Sequence, residues 1–481
     1  MEVEPNDNNT NNNDKITEVN ATIAINDDNK EINTTKNKET LKEVVEVVTE
    51  KNDKLKKEKA AMRNFYVIAC GYLLFTLTDS GLRMIVLLEL YQRHFNALQI
   101  SLMFTLYEFL GVITNLVGGI LGSRLGLRFC LLTGLITQII GIGILCGLQR
   151  DWPRTVVIIY IIIAQGFSGV AKDMVKLGGK SVTKLVKHDD DLSTHQSALF
   201  KLVAYLTGAK NSIKGAGFFL GAFLLNFTGY IVALVIMAVM NLVVIPFALL
   251  YLDRTLAVSK RQEPLSLKEV FNKGRDVNIL SLARMFLFGS RDLWFEVPLP
   301  VFLRGTIGWS YMATGALLAG WIIFYGFIQS STPQLILKPA HLYPITSGRI
   351  LVPLTIILLI VTILISLATT VLSTTTQTTL YLGLLITGLF LFAFIFAVNS
   401  SVHSFLILAY CHRDKVAMNV GFYYMANACG RLVGLIVGGV LYQYVGLYAC
   451  LWTSAVALFI CCIVSWFLGP VPEEEIKGLG D

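Results

Sequence analysis

From Asn64 to Leu468 the chain passes through hydrophobic segments almost without pause. Each is long enough to cross a bilayer, for which about 20 apolar residues suffice. Twelve spans can be read. Ionisable residues lie deep in the first, second, fourth, fifth, seventh and eleventh; the third, sixth, ninth and twelfth carry none away from their ends. A charge held in lipid is costly, so it faces a bundle interior or a water-filled path. The pattern therefore separates helices that line a path from helices that support it. It predicts an all-α membrane protein with twelve transmembrane helices, a channel or carrier.

The polar positions set the boundaries. Residues 1–60 are dominated by Asn, Thr, Asp, Glu and Lys, with runs such as Asn11-Asn12-Asn13. Such a stretch cannot bury enough apolar surface to order itself, so a disordered polar leader is expected. Within it, apolar residues recur among charges from Leu41 to Lys57, which fits either an amphipathic helix on the membrane surface or a loose tail. No short apolar core near Met1 marks a cleavable signal, so the first span would act as an uncleaved anchor. Lysine and arginine set the orientation. Lys51, Lys54, Lys56, Lys57, Lys59 and Arg63 precede the first span, which puts the N-terminus in the cytosol, and twelve spans return the C-terminus there. Expected divisions are a six-helix half at 61–252, a basic cytosolic linker at 253–276, a second six-helix half at 277–468 and a cytosolic tail at 469–481. The plasma membrane is the expected location.

Composition agrees with this reading. Of 481 residues 54% are hydrophobic and 15% charged, with net charge +7; soluble domains carry about 25% charged residues. Mean hydropathy is +0.61. The eight cysteines show neither metal-ligand spacing nor a secreted framework, so small apolar packing roles are expected and no metal or cofactor. No nucleic-acid motif is present, and the basic balance points to cytosolic loops or an anionic ligand.

The two halves repeat. FTLTDSGLRMIVLLELYQRHFNALQIS in the first span slides onto FLFGSRDLWFEVPLPVFLRGTIGWSYM in the seventh, aligning Phe75 with Phe286, Leu82 with Leu293 and Arg93 with Arg304. Asp79 and Arg83 then flank the positions of Arg291 and Asp292, so the charge-bearing centres coincide. Six plus six spans with related first helices is how major facilitator carriers are built. The loop after the second span, Gly119 to Arg128, resembles that superfamily's signature Gly-x-Leu-Ala-Asp-Arg-x-Gly-Arg-Lys. Gly119, Arg124, Gly126 and Arg128 match it as gating residues, while Ser123 stands where the family has aspartate. Glycines permit a tight turn, and arginines reach carboxylates or helix C-terminal carbonyls.

The deep cations are Arg83, Lys172, Lys176, Lys210, Lys214, Arg284, Arg291 and Arg431; the deep acids are Asp79, Glu108, Asp173, Asp292 and Glu296. Helical spacing places Lys172 with Lys176, Lys210 with Lys214, and Arg284 with Arg291 on shared faces. Asp79 and Arg83, at i and i+4, are the obvious internal pair. Glu296 reads as a rim residue, Lys176 as one that snorkels to the surface, and His403 as a core histidine. Arg284, Arg291 and Lys214 have no acid on their own face. The excess of positive charge suggests an anionic substrate, since the planar fork of arginine holds two oxygens at once. Arg83, Lys172, Lys210, Lys214, Arg284, Arg291, Asn427 and Arg431 are the candidate substrate ligands, with Tyr423 and Tyr424 as neutral neighbours. Asp79, Glu108, Asp173 and Asp292 are the candidates for proton coupling.

The segments FTLTDSGLRMIVLL, LYEFLGVITNLVGG, GFSGVAKDMVKLGGKSVTKLV, LTGAKNSIKGAGFFLGA, LFGSRDLWFEVPLPVFL and GFYYMANACGRLVG resemble the organoarsenical efflux permeases of arsenic-resistance systems. The resemblance covers about Asn64 to Leu468 and leaves out the leader. It implies export of 1-arseno-3-phosphoglycerate, which glyceraldehyde-3-phosphate dehydrogenase makes when arsenate replaces phosphate, and hence a functional link to that enzyme. It also implies a single bundle in the lipid bilayer, working by alternating access with a proton gradient as the energy source. Three other readings stay open: a facilitator for another organophosphate or carboxylate, a membrane-embedded enzyme, and a non-transporting signalling protein on a carrier fold. No His-Glu-x-x-His motif or convincing nucleophile–base pair favours the enzyme.

Overall fold

The computed structural model describes residues 34–181, 192–252, 274–339, 345–372, 378–410 and 416–471. The chain forms two compact units, Met1–Met62 and Arg63–Asp481. Of the first unit, the described part is the leading stretch of helix α1 (Thr34–Gln92), so the backbone over Leu41–Lys57 is helical. In the second unit α1 is followed by α2 (Ala97–Met103), α3 (Thr105–Cys146), α4 (Arg154–Ser181), α5 (Leu192–Thr228), α6 (Tyr230–Tyr251), α7 (Arg275–Asp292), α8 (Pro298–Gly305), α9 (Tyr311–Ser331), α10 (Leu351–Val371), α11 (Thr378–Ala409), α12 (Val416–Tyr444) and α13 (Leu447–Trp466). Among the described residues the one departure toward β structure is an isolated bridge between Ser347 and Pro470.

Nine stretches among the described residues are long and apolar enough to cross a membrane. They are the expected second to fourth, sixth and eighth to twelfth spans. The first, fifth and seventh also form as helices, in the later part of α1, in α5 and in α7 with α8, and each carries deep charges. The second and third spans share α3. Gly111 and Gly134 both lie against the 171–175 turn of α4. Twenty-three residues of straight helix would separate them by about 34 Å, so the chain reverses between them. The charge-free spans turn large apolar side chains outward, among them Leu242 and Phe247 on α6, Ile360 and Leu364 on α10, and Val456 and Phe459 on α13. That is the surface lipid accepts and water does not.

Glycine lets the charge-bearing helices approach closely. Gly217 and Gly221 of α5 set their backbone against Leu77 and Gly81 of α1. Gly430, Gly434 and Gly438 of α12 do the same against Met285 and Gly289 of α7 and Leu293 just past its end. Small residues at every fourth position are the usual means of bringing two membrane helices into contact. Each half therefore uses the same device, glycine backbone seated against the backbone of its first helix.

The halves meet through α5 with α9 and through α2 and α3 with α12. A Cβ on Gly215 would lie 2.7 Å from the Ala319 carbonyl, and one on Gly315 2.5 Å from Ala222 Cβ. The first span starts at the near face and ends at the far face. At the far face Arg93 donates to the Gln149 carbonyl (2.9 Å), tying the ends of the first and third spans together.

Candidate functional site

Four side chains, three buried and Arg431 partly so, close a ring between the halves. Arg83 on α1 and Glu108 on α3 come from the first half; Glu296 and Arg431 on α12 come from the second. Arg83 Nη1 lies 3.2 Å from Glu108 Oε1 and its Nη2 2.8 Å from Glu296 Oε2. Arg431 Nη2 lies 2.8 Å from Glu108 Oε1 and 3.2 Å from Glu296 Oε1. Charge alternates around the ring, and each arginine touches one acid of each half. Lys172 Nζ approaches Glu108 at 3.9 Å, and Lys214 Nζ approaches Glu296 at 3.9 Å. Arg431 Nε also donates to Asp292 Oδ2 (2.9 Å). Breaking one such buried pair strands a charge, at a cost of about 3–5 kcal/mol.

A break in the seventh span positions the acids of the second half. α7 stops at Asp292, the chain turns through Leu293–Val297, and α8 resumes at Pro298, where proline suits the first helical turn. The turn is anchored by aromatic packing: Trp294 lies 5.9 Å from Trp321 and 5.1 Å from Phe392, and Phe295 lies 4.4 Å from Trp321. This puts Glu296 among the arginines, 8% exposed, instead of at the rim. It also explains Arg291, which has an acid after all: its Nε and Nη2 reach Asp292 Oδ1 at 2.6 and 2.5 Å. Adjacent residues do not face each other along a regular helix, but α7 ends here.

Asp79 and Arg83 do not pair. Tyr107 donates its hydroxyl to Asp79 Oδ2 (2.7 Å), and Asp79 Oδ1 has no hydrogen-bond partner. Arg83 is drawn instead to two acids, with its guanidinium 4.5 Å from the Tyr107 ring centre. Among the described residues no cation comes within ion-pair distance of Asp79. Asp173 accepts from Thr114 (2.6 Å) and lies 3.6 Å from Lys176 Nζ. Lys176 lies over the Tyr424 ring across the half interface (5.2 Å), so it turns inward and does not snorkel.

Arg284 differs from the other arginines. It is 4% exposed, and among the described residues no carboxylate lies within ion-pair distance of it or of Lys210. Its Nη1 donates to the carbonyl and hydroxyl of Ser400 on α11 at 3.2 and 3.1 Å. Phe288 and Tyr423 flank its guanidinium, 3.9 and 5.2 Å away. Asn427 leaves a buried carbonyl oxygen without a partner. The side chains of Gly119, Arg124 and Gly126 lie outside the described residues. Arg128 donates to the carbonyls of Leu249 and Leu252 at 2.8 and 2.9 Å, capping the end of α6 within its own half.

Sequence reasoning missed Tyr107, the central place of Glu296, and the Ser400 partners of Arg284. The paired prolines after Glu296 were the available sign that the seventh span breaks there.

The Major Facilitator Superfamily model matches residues 68–406 and 354–480. Among solved structures, the crystal structure of a bacterial homologue of the iron transporter ferroportin in an inward-facing state is similar in fold. Its TM-score is 0.60 at 14% identity, covering 87% of this chain and 99% of that one. No curated protein matches the sequence. The chain therefore belongs to the major facilitator superfamily and is a multi-pass membrane protein with a transporter fold.

Proposed function

We propose that the protein is a secondary carrier that moves a small organic anion by alternating access about the ring of Arg83, Glu108, Arg431 and Glu296. The observation that carries this reading is Arg284: a buried arginine with no carboxylate in ion-pair reach among the described residues. Eight deep cations stand against five deep acids, and those acids other than Asp79 are already engaged by arginine or lysine. The site is thus short of anions and not of cations. A small, multiply charged oxyanion supplies what is missing.

The ring suits a rocking motion. Parting the halves breaks Arg83–Glu296 and Arg431–Glu108. It leaves Arg83–Glu108 in one half and Arg431–Glu296 in the other, so no charge of the ring is stranded in either state. Lys172, Lys210, Lys214, Arg284 and Arg291 line the approach to the ring as substrate ligands, with Asn427 beside them. Asp79, held by a tyrosine and by no cation among the described residues, is the acid best placed to take and release a proton.

The resemblance to organoarsenical permeases sets the first substrate to try, 1-arseno-3-phosphoglycerate, exported across the plasma membrane from a cytosolic near face. The test is arsenate resistance and cell arsenic content in an arsenate-sensitive host with the dehydrogenase co-expressed. Resistance that requires both the dehydrogenase and the carrier, and that Arg291→Ala abolishes at equal surface expression, supports this substrate. No resistance at confirmed surface expression contradicts it and favours another organophosphate or carboxylate.

A further inference from the structure

Three polar side chains from two helices of the second half converge on one neutral oxygen. Arg284 Nη1, Gln329 Nε2 and Tyr325 Oη lie 3.1, 3.2 and 3.2 Å from Ser400 Oγ. A hydroxyl accepts two hydrogen bonds and donates one, so Ser400 satisfies the set only by giving its proton to Tyr325. The orientation of Gln329 is fixed from the other half, because Asn211 Nδ2 donates to its Oε1 at 2.7 Å. Ser400 and Tyr325 are 0% and 6% exposed. Two further groups point to a missing acceptor and donor. Arg284 Nε is buried without a partner, and so are both ring nitrogens of His403, one turn along α11 from Ser400 and 0% exposed. A cationic and amide donor set of this kind is what an oxyanion requires, and a hydroxyl oxygen is a weak substitute for it.

We infer that Arg284, Gln329 and Tyr325 form a subsite for one oxyanion group of the transported anion, a phosphate or carboxylate, and that Ser400 holds its place when the subsite is empty. This rests on the anion-carrier reading above and adds specific residues to it. Asn211 makes the subsite sensitive to the half interface: a ligand oxygen that draws Gln329 inward pulls on α5. His403 faces the same region as a second neutral group for the bound anion.

The test places a carboxylate in the subsite from within. Full-length protein in lipid nanodiscs is titrated with 3-phosphoglycerate and, separately, inorganic phosphate, with affinity read by isothermal calorimetry and folding by thermal denaturation. Ser400→Asp puts an anion against Arg284, and is expected to keep the melting temperature while weakening binding by about tenfold or more. Gly143→Ala, with open space beside it and outside the subsite, is the control and is expected to bind within about threefold of wild type. Gln329→Glu, at a partly exposed position, is the second variant if Ser400→Asp does not fold, with the same expected loss. Folded Ser400→Asp or Gln329→Glu that binds as wild type does would overturn the subsite while leaving the carrier reading intact. Wild type that binds neither probe would instead sink the anion-carrier reading itself.

Discussion

At the scale of single residues, the site is governed by which buried charges find opposite partners. Glu108 is 2% exposed and sits between Arg83 and Arg431 with Lys172 beside it. Glu108→Gln leaves two arginines facing one remaining ring acid, at an expected cost of about 3–5 kcal/mol. The double variant Arg83→Leu with Glu108→Leu removes a neutral pair from one half and leaves Arg431 with Glu296 and Asp292. It is expected to be more stable than Glu108→Gln alone, as thermal unfolding in detergent would show. Equal or greater loss in the double variant would mean that the ring is not a balanced set. Most of these residues were legible as deep charges in apolar spans, because each costs free energy that only function or pairing explains. Their partners were not. Helical spacing suggested Asp79 with Arg83, but Tyr107 and the two glutamates come from other segments, and spacing along one helix carries no information about them.

At the scale of elements, glycine spacing and helix breaks decide where those charges sit. A Cβ at Gly438 would run into the Leu293 carbonyl, and backbone cannot step aside as a flexible side chain can. Gly438→Val is therefore expected to push α12 off α7, displace Arg431 from Asp292 and reduce the yield of monodisperse protein severely. Gly143, which has nothing within 4 Å of the Cβ it would gain, provides the control. Gly143→Ala is expected to be neutral or to stabilise by up to about 1 kcal/mol. Size-exclusion profiles and melting temperatures of the two variants distinguish packing from a general intolerance of glycine loss. Helix existence was readable from hydropathy, and the charge-free sixth, ninth and twelfth spans turn large apolar side chains outward. The break at Leu293–Val297 was harder to see. A hydropathy pattern does not register five residues that leave the helix when aromatic side chains keep them buried.

At the scale of the whole molecule, the same ionic ring serves the closed contact between halves and leaves one arginine–glutamate pair within each half once parted. That is what a carrier rocking about a central site requires, since a buried charge left alone in either state would raise the barrier between them. The twelve-span, two-half architecture was legible from charge periodicity and the internal repeat. The cargo is a separate matter, because the fold is shared by carriers of many substrates and only the site separates them. The most direct measurement is arsenic accumulation in everted membrane vesicles supplied with glyceraldehyde 3-phosphate, oxidised nicotinamide cofactor, the dehydrogenase and arsenate. Accumulation is predicted only with the complete mixture. It should collapse when a protonophore removes the proton gradient and be lost in Asp79→Asn and Arg284→Gln. Vesicles that carry folded protein yet take up neither the arseno compound nor 3-phosphoglycerate would contradict the account of an anion carried through this cationic core.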